Sequence, residues 1–161
     1  MHLRKVCFVT LSISLALSLS ACGSGKDAPT KTFTQMTDGV DGSITTYGND
    51  LRVSSVLLVA QSDGSAVLVG AITNENPTAD TLLGITVGGI KATLSQANLP
   101  LKQNEPVRFA GDSANASAVI PGLNSAPGMR VKVQLLFASA GELTLDAIVR
   151  ERSGVYANVG A

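Results

Sequence analysis

Apolar residues in most of this chain occur in short runs, separated by polar and glycine-rich segments. In residues 129–137 (MRVKVQLLF), apolar side chains occupy every second position, and residues 142–149 (ELTLDAIV) repeat this alternation. A period of two predicts β-strands with one buried and one solvated face. The positions predicted to point inward are Val131, Val133, Leu135, Phe137, Leu143, Leu145, Ala147 and Val149.

Other apolar runs predict further strands, at residues 51–60, 66–73, 81–87, 90–95, 105–111 and 116–120. Residues 62–64 (SDG) and the pair Gly88-Gly89 predict hairpin turns between neighbouring runs, and Ala140-Gly141 joins the last two strands. No segment shows a helical period. About seven or eight short strands at this spacing predict an all-β protein, an antiparallel β-sandwich.

The N-terminal residues follow a different pattern. Arg4 and Lys5 precede an apolar, serine-rich stretch that ends in small residues. This stretch is too short and too rich in serine for a membrane span and is typical of a secretory signal peptide. Residues 19–22 (Leu-Ser-Ala-Cys) resemble the lipobox of bacterial lipoproteins, which implies lipidation of Cys22 and removal of residues 1–21. The alternative is an ordinary secreted protein with an unpaired thiol, a liability in an oxidising compartment.

These features predict four segments. Residues 1–21 form the lipoprotein signal peptide, 22–38 a lipidated flexible tether, 39–150 the β-sandwich domain and 151–161 a loose C-terminal tail. Two acyl chains on one cysteine hold a protein stably at a membrane, whereas a single chain does so only marginally. We therefore expect a lipid-anchored protein at the outer face of a bacterial cell membrane.

Processing of this kind also removes reactive side chains. The only histidine, His2, and one of the two cysteines, Cys7, lie in the predicted signal, and the lipid occupies Cys22. Catalysis by a histidine base, a Cys/His pair or a Ser-His-Asp triad is then excluded, as are zinc sites of His and Cys. Without Arg4 and Lys5, ten basic residues remain against twelve acidic ones, which gives no reason to expect a nucleic acid partner. We predict a protein that is not an enzyme and carries no cofactor.

Three segments resemble a known family. Residues 67–87 contain an Asn-containing turn followed by Asp-x-Leu-x-Gly, and residues 120–149 contain a Pro-Gly loop, a long alternating strand and an Ala-Gly turn. With the GVDG segment at 39–42, this order is similar to the periplasmic copper chaperone family PCu(A)C (PCuAC), and closer still to LpqE-type lipoproteins of actinobacteria. The resemblance implies a cupredoxin-like, Ig-like Greek-key sandwich.

The copper site of that family does not carry over. The resemblance places its His-x-Met motif at residues 117–119, which are Ser-Ala-Val here, and its earlier histidine at 93–95, which are Thr-Leu-Ser. Copper(I) prefers thioether, thiolate and imidazole ligands, and neither segment has one. Met36 and Met129 lie elsewhere and are interpreted as gap-filling or incidental residues. No metal site is therefore predicted.

Carboxylates offer two weaker possibilities. Asp38, Asp41 and Asp50, with Asn49, lie in a glycine-rich region that has oxygen ligands suited to calcium but lacks the EF-hand pattern. Asp and Gly are also the usual turn residues. A catalytic pair would have to come from loop carboxylates that we interpret as solvated, namely Asp63, Glu75, Asp80 and Asp112.

Basic residues near the C-terminus form a further candidate. A basic strip would consist of Arg130, Lys132, Arg150 and Arg152. We interpret it as a solvated face paired with Glu142 and Asp146 across the hairpin.

The sequence thus predicts a membrane-tethered, non-catalytic binding module with a copper-chaperone-like fold. Its loops at 74–80, 95–104 and 111–128 would contact an envelope protein or a small ligand, since loops carry function on a rigid scaffold. The alternative is a metal chaperone with a non-standard site of Met36, Met129 or carboxylates.

Overall fold

The structure, a computed structural model, describes residues 38–160. These residues form an 11-stranded sheet and one 3-10 turn, Gly154–Tyr156, which confirms the predicted all-β fold. The strands are β1 (Val40–Ile44), β2 (Leu51–Ala60), β3 (Ala66–Asn74), β4 (Asp80–Val87), β5 (Ile90–Lys91), β6 (Thr93–Leu94), β7 (Leu99–Leu101), β8 (Val107–Arg108), β9 (Ala118–Ile120), β10 (Arg130–Phe137) and β11 (Gly141–Arg150). Cys22, the predicted signal peptide and nearly all of the predicted tether lie outside the described residues.

Strand β11 joins the two halves of the sandwich. It pairs with β10 along one edge and with β2 along the other, so that the sheet is nearly closed into a barrel-like sandwich. The β2–β11 pairing is parallel, with Val149 beside Leu58 and Arg150 beside Val59. The sheet is therefore mixed, which the predicted antiparallel arrangement did not include, because strand alternation carries no information on which distant strands become neighbours.

The core lies between the two halves and is built from the inward positions of the long strands. The alternation predicted for β10 is confirmed, because Val133, Leu135 and Phe137 are buried while Leu136 is 48% exposed. The largest fully buried side chains are Phe137, Leu51, Leu58, Leu68, Ile72, Leu82, Ile85, Leu101, Ile120, Leu135, Val53 and Val56. Among residues 38–160, no helix has the length and apolarity needed to span a bilayer.

A β-bulge in β2 explains the glycine-rich GVDG segment. The β2–β3 register shifts between Ser54 and Leu57, and Ser55 has a positive φ of 55°. A side chain on Gly39 would overlap the backbone of Ser55. The Ser55 backbone N–H donates to Asp41 Oδ1 at 2.6 Å. The segment therefore fits against the bulge and begins β1, a strand that its glycine content did not predict.

Strand β7 lies inside a segment predicted to be a loop. Leu99 and Leu101 are buried, and the strand pairs antiparallel with the start of β4. Pro100 lacks a backbone N–H and argues against a central strand, but an edge strand tolerates it. The predicted loop at 95–104 is therefore wrong at its centre, where two alternate leucines carry the strand.

Candidate functional site

The β2–β3 hairpin gives the domain two ends that can be defined by register. At the turn end, residues 61–65 connect Ala60 to Ala66, and at the open end Leu51 pairs with Asn74. Arg150 of β11 lies beside Val59, close to the turn end. Each end carries a cavity, and the two differ in chemistry.

The structure brings together the two segments that the resemblance assigns to copper. Strand β6 pairs with β9, with Thr93 opposite Val119. The Ser95 N–H donates to Ser117 O at 2.9 Å, and the Ser117 N–H donates to Ser95 Oγ at 3.0 Å. The side chains at 93–95 and 117–119 are hydroxyl, methyl or aliphatic, and none of them is a soft ligand.

The other predicted metal candidates remain apart. Met129 lies between the Pro127-Gly128 turn and the start of β10, and it is 57% exposed. Met36 lies outside the described residues. Among residues 38–160, no group of three or more His, Cys, Asp or Glu side chains is placed to share a metal ion. The aspartates of the glycine-rich region have separate contacts: Asp38 with Arg150, Asp41 with the Ser55 N–H, and Asp50 at 3.8 Å from Arg52.

At the turn end, a cavity of about 540 Å³ is lined by Asp38, Arg150 and Tyr156 together with the Pro127-Gly128 turn. Arg150 Nη2 lies 2.6 Å from Asp38 Oδ1, and the Tyr156 hydroxyl donates to Asp38 Oδ2 at 3.0 Å. Arg150 Nε is buried and has no hydrogen-bond partner among the described residues. Burial raises the pKa of Tyr156, and the hydrogen bond to Asp38 and the charge of that carboxylate raise it further, against a smaller opposite effect of Arg150.

Two arginines of the predicted basic strip bond to backbone carbonyls near them in the fold. Arg130 donates to the Asp146 backbone carbonyl at 3.0 Å, and Arg152 donates to the Ala157 carbonyl at 3.0 Å. Lys132 is opposite Asp146 in the β10–β11 register, as predicted. Glu142 instead accepts hydrogen bonds from Gln134 and Thr144.

The four loop carboxylates have unlike environments. Asp112 is exposed, and Glu75 lies 2.8 Å from Arg52 Nε. Asp63 closes the hairpin turn, where hydrogen bonds from the Ser65 hydroxyl and backbone lower the pKa of its carboxyl group. Asp80 is only 7% exposed, so its interpretation as a solvated loop charge is wrong.

Asp80 and Asn74 hold the open end together. The Asp80 carboxylate accepts backbone N–H bonds from Thr81, Ser139 and Ala140 at 2.7, 2.9 and 3.0 Å. Asn74, 2% exposed, donates to the carbonyls of Thr78 and Leu101 at 2.9 Å each. Its own oxygen accepts the Asn76 N–H at 3.0 Å.

These two residues belong to the Asn-containing turn and the Asp-x-Leu-x-Gly pattern that carry the family resemblance. Both satisfy backbone groups that would otherwise be unpaired inside the protein. The motif is therefore structural, and the resemblance was the only signal in the sequence that pointed to Asn74.

A polar cleft of about 220 Å³ lies at this open end, lined by Tyr47, Gly48, Asn49, Leu51, Asn74, Asn76, Thr78, Ala79, Asp80 and Ser139. Tyr47 and Gly48 have positive φ values of 54° and 79°, and Asn49 donates twice to the Thr46 carbonyl at 3.0 Å. The Asn76 side-chain amide donates to the Gly48 carbonyl. The predicted loop at 74–80 thus forms one wall, and residues 47–49, which were not predicted as a binding loop, form the other.

Comparison with known proteins shows which fold this is. No protein-family model and no curated protein matches the chain. Solved structures do match it, among them the apo PCuAC domain from PmoF1, at 23% identity and a TM-score of 0.53, covering 63% of this chain and 93% of that one. The copper-bound PCuAC domain from PmoF2 matches at 19% identity and a TM-score of 0.54, covering 63% and 92%.

The apo PmoF2 PCuAC domain matches at 18% identity and a TM-score of 0.52, covering 65% of this chain and 92% of that one. At these identities the likeness concerns the fold alone. The described domain therefore has the copper-chaperone-like β-sandwich fold of PCuAC domains.

Proposed function

We propose that this protein is a membrane-anchored, extracytoplasmic and non-catalytic binding module, attached through a lipid on Cys22. The observation that carries the proposal is the pairing of residues 93–95 with 117–119. A PCuAC-like fold here brings the two expected ligand segments into contact, but both segments lack imidazole and thioether groups. The fold is that of PCuAC domains, but Ser117, Ala118 and Val119 occupy the positions where the resemblance places the His-x-Met motif.

The side chains of the domain support a binding role over a catalytic one. Residues 38–160 contain no histidine and no cysteine, which removes the commonest bases and nucleophiles. The buried carboxylate Asp80 accepts three backbone hydrogen bonds and is thereby committed to structure. What the domain offers to an envelope protein or a small ligand is its two end cavities and the loops around them.

A metal chaperone with a non-standard site is the second candidate. It is favoured by Met129, whose thioether side chain is 57% exposed and directly follows the Pro127-Gly128 turn. A single thioether is a weak copper(I) site, and carboxylates suit harder cations.

A copper(I) titration of the full-length protein against a competing chelator separates the two candidates. We expect no submicromolar binding by the unmodified protein. Submicromolar binding that is lost in Met129→Ala would contradict the proposal and support the chaperone.

A gain-of-function variant serves as the matched control. Ser117→His with Val119→Met introduces the His-x-Met spacing at the start of β9, and we expect it to raise copper(I) affinity above that of the unmodified protein. The same pair of substitutions at Ser43 and Thr45, at the other end of the domain, should leave affinity unchanged.

The anchor is tested independently by mass spectrometry of the protein isolated from its own envelope. The expected product begins at an acylated Cys22. An unacylated chain that still begins at Met1 would contradict the anchored part of the proposal.

A further inference from the structure

The open-end cleft combines a fixed shape with unused hydrogen-bonding groups. Its two walls are tied together by the Asn76 amide on Gly48 and by the Glu75 N–H, which donates to the Asp50 carbonyl at 2.8 Å. Below them, Asn74 bonds to Thr78 of the same wall and to Leu101 at the end of β7, and Asp80 holds the turn at Ser139. A ligand entering this cleft would meet walls that are already in place, which lowers the entropy cost of binding.

Several polar groups of the lining have no partner within residues 38–160. They are the hydroxyls of Tyr47, Thr78 and Ser139 and the side-chain oxygen of Asn49. Three of the four are hydroxyls that both donate and accept hydrogen bonds, and the fourth is an acceptor. This set suits a ligand rich in hydroxyl groups, because each hydroxyl can both donate and accept a hydrogen bond.

The electrostatics of the lining exclude a strongly charged ligand. The only charged side chain in it is Asp80, which is 7% exposed and has its oxygens occupied by backbone N–H groups. Arg52, the nearby cation, is bound to Glu75 at 2.8 Å. The cleft therefore has no cation to hold a phosphate or carboxylate, and an uncharged ligand fits it best.

Tyr47 adds an aromatic surface at the rim. Its side chain is fully exposed, and its backbone has a positive φ of 54°, uncommon for an aromatic residue and more usual for Asn, Asp or Gly. The turn would form at lower cost with one of those residues in place of tyrosine. An aromatic ring at the edge of a polar cleft offers an apolar face together with a polar hydroxyl.

We propose that this cleft binds the terminal unit of a neutral glycan, with a sugar ring stacked on Tyr47 and its hydroxyls bonded to Asn49, Thr78 and Ser139. The inference rests on the proposed role as a binding module and names a ligand class for it. The cleft volume of about 220 Å³ is below the roughly 300–1,000 Å³ of pockets that enclose drug-sized ligands, so it admits one ring at the end of a chain. Neutral charge, a hydroxyl-rich lining and an aromatic rim all favour the same chemistry.

The chain offers an unusually direct probe for this site. It contains no tryptophan and two tyrosines, Tyr47 at the open end and Tyr156 at the turn end. In the full-length Tyr156→Phe variant, intrinsic tyrosine fluorescence reports on Tyr47 alone. We expect saturable changes in this emission with at least one of the neutral trisaccharides of glucose, galactose, mannose, arabinose or N-acetylglucosamine, and none with glucose 6-phosphate or inorganic phosphate.

Calorimetry with the active trisaccharide then locates the site. Tyr47→Ala should weaken binding by about tenfold or more, as expected for an anchoring aromatic, whereas Tyr156→Ala should leave it unchanged. Asn49→Ala provides a second variant that keeps the ring. The proposal is overturned if no trisaccharide binds, if the phosphates bind in preference, or if Tyr47→Ala and Asn49→Ala both retain the original affinity. A negative result here together with a negative copper(I) titration would leave the broader binding-module proposal standing.

Discussion

The two ends of the sandwich are held together in opposite ways. At the open end, Asn74 and Asp80 are buried and every hydrogen bond they make goes to backbone groups. At the turn end, Asp38 and Arg150 form an ion pair whose side chains are 45% and 36% exposed. Buried polar groups are costly to leave unpaired, whereas half-exposed ion pairs add little. The contacts at the open end therefore contribute more to stability than those at the turn end, although the turn end contains the larger cavity.

The largest expected effect comes from removing the buried carboxylate. Asp80→Ala leaves the backbone N–H groups of Ser139 and Ala140 without an acceptor, and we expect it to lower the free energy of unfolding by about 3 kcal/mol. Urea unfolding measures this. Asp112→Ala, which removes an exposed loop aspartate, should stay within about 0.5 kcal/mol of the unmodified protein. Equal effects of the two substitutions would remove the proposed difference between the ends.

A second substitution tests whether the close packing of Gly39 against the Ser55 backbone contributes more to stability than the neighbouring Asp38–Arg150 ion pair. Gly39→Ala places a methyl group into the backbone of Ser55, and we expect a loss of about 2 kcal/mol. Gly84→Ala is the matched control, because no atom lies within 4 Å of its added methyl group and its φ is not positive. It should be neutral or stabilise by about 0.5 kcal/mol. Thermal unfolding of the two variants side by side gives the comparison.

Breaking the ion pair itself should matter less. Asp38→Asn keeps the shape of the side chain and removes its charge, and we expect a change below about 1 kcal/mol that shrinks further in high salt. Urea unfolding at low and high ionic strength is the measurement. A salt-independent loss as large as that of Asp80→Ala would contradict the assignment of the turn end as the weaker one.

The smallest effect is a pH dependence at Tyr156. Its pKa is raised in the folded protein, mainly by burial, so the neutral phenol is favoured by folding. The resulting contribution to stability is complete below the ordinary tyrosine pKa of about 10 and is lost as pH rises through the folded value. In a Tyr47→Phe background, phenolate absorbance follows Tyr156 alone, and Asp38→Asn should lower its pKa. An unchanged titration curve would mean that the hydrogen bond to Asp38 does not form in solution.

Local structure could be predicted from the sequence where it depends on residues that are close together along the chain. Strand β2 begins and ends at the predicted residues, and Gly88 and Gly89 form the predicted turn with φ values of 57° and 84°. The alternation in β10 likewise identified its buried face. These features depend on side-chain period and on glycine, which are both visible in the sequence.

Long-range pairing could not be predicted in the same way. Asp38 and Arg150 are 112 residues apart, and the contact between Asp80 and Ser139 spans 59. Nothing in the pattern around Asp80 distinguishes a buried acceptor from a solvated turn residue. The cleft was missed for a related reason, since its two walls meet only after β2 and β3 pair and bring residues 47–49 beside residues 74–79.

Strand β1 links the two ends of the domain. The strand begins at Val40, next to Asp38, and ends at Ile44, three residues before Tyr47, so it covers about 16 Å at roughly 3.3 Å per residue. The same short strand therefore leads from the ion pair at Asp38 to the loop that carries Tyr47, so a change in its pairing with β2 would reach both ends of the domain.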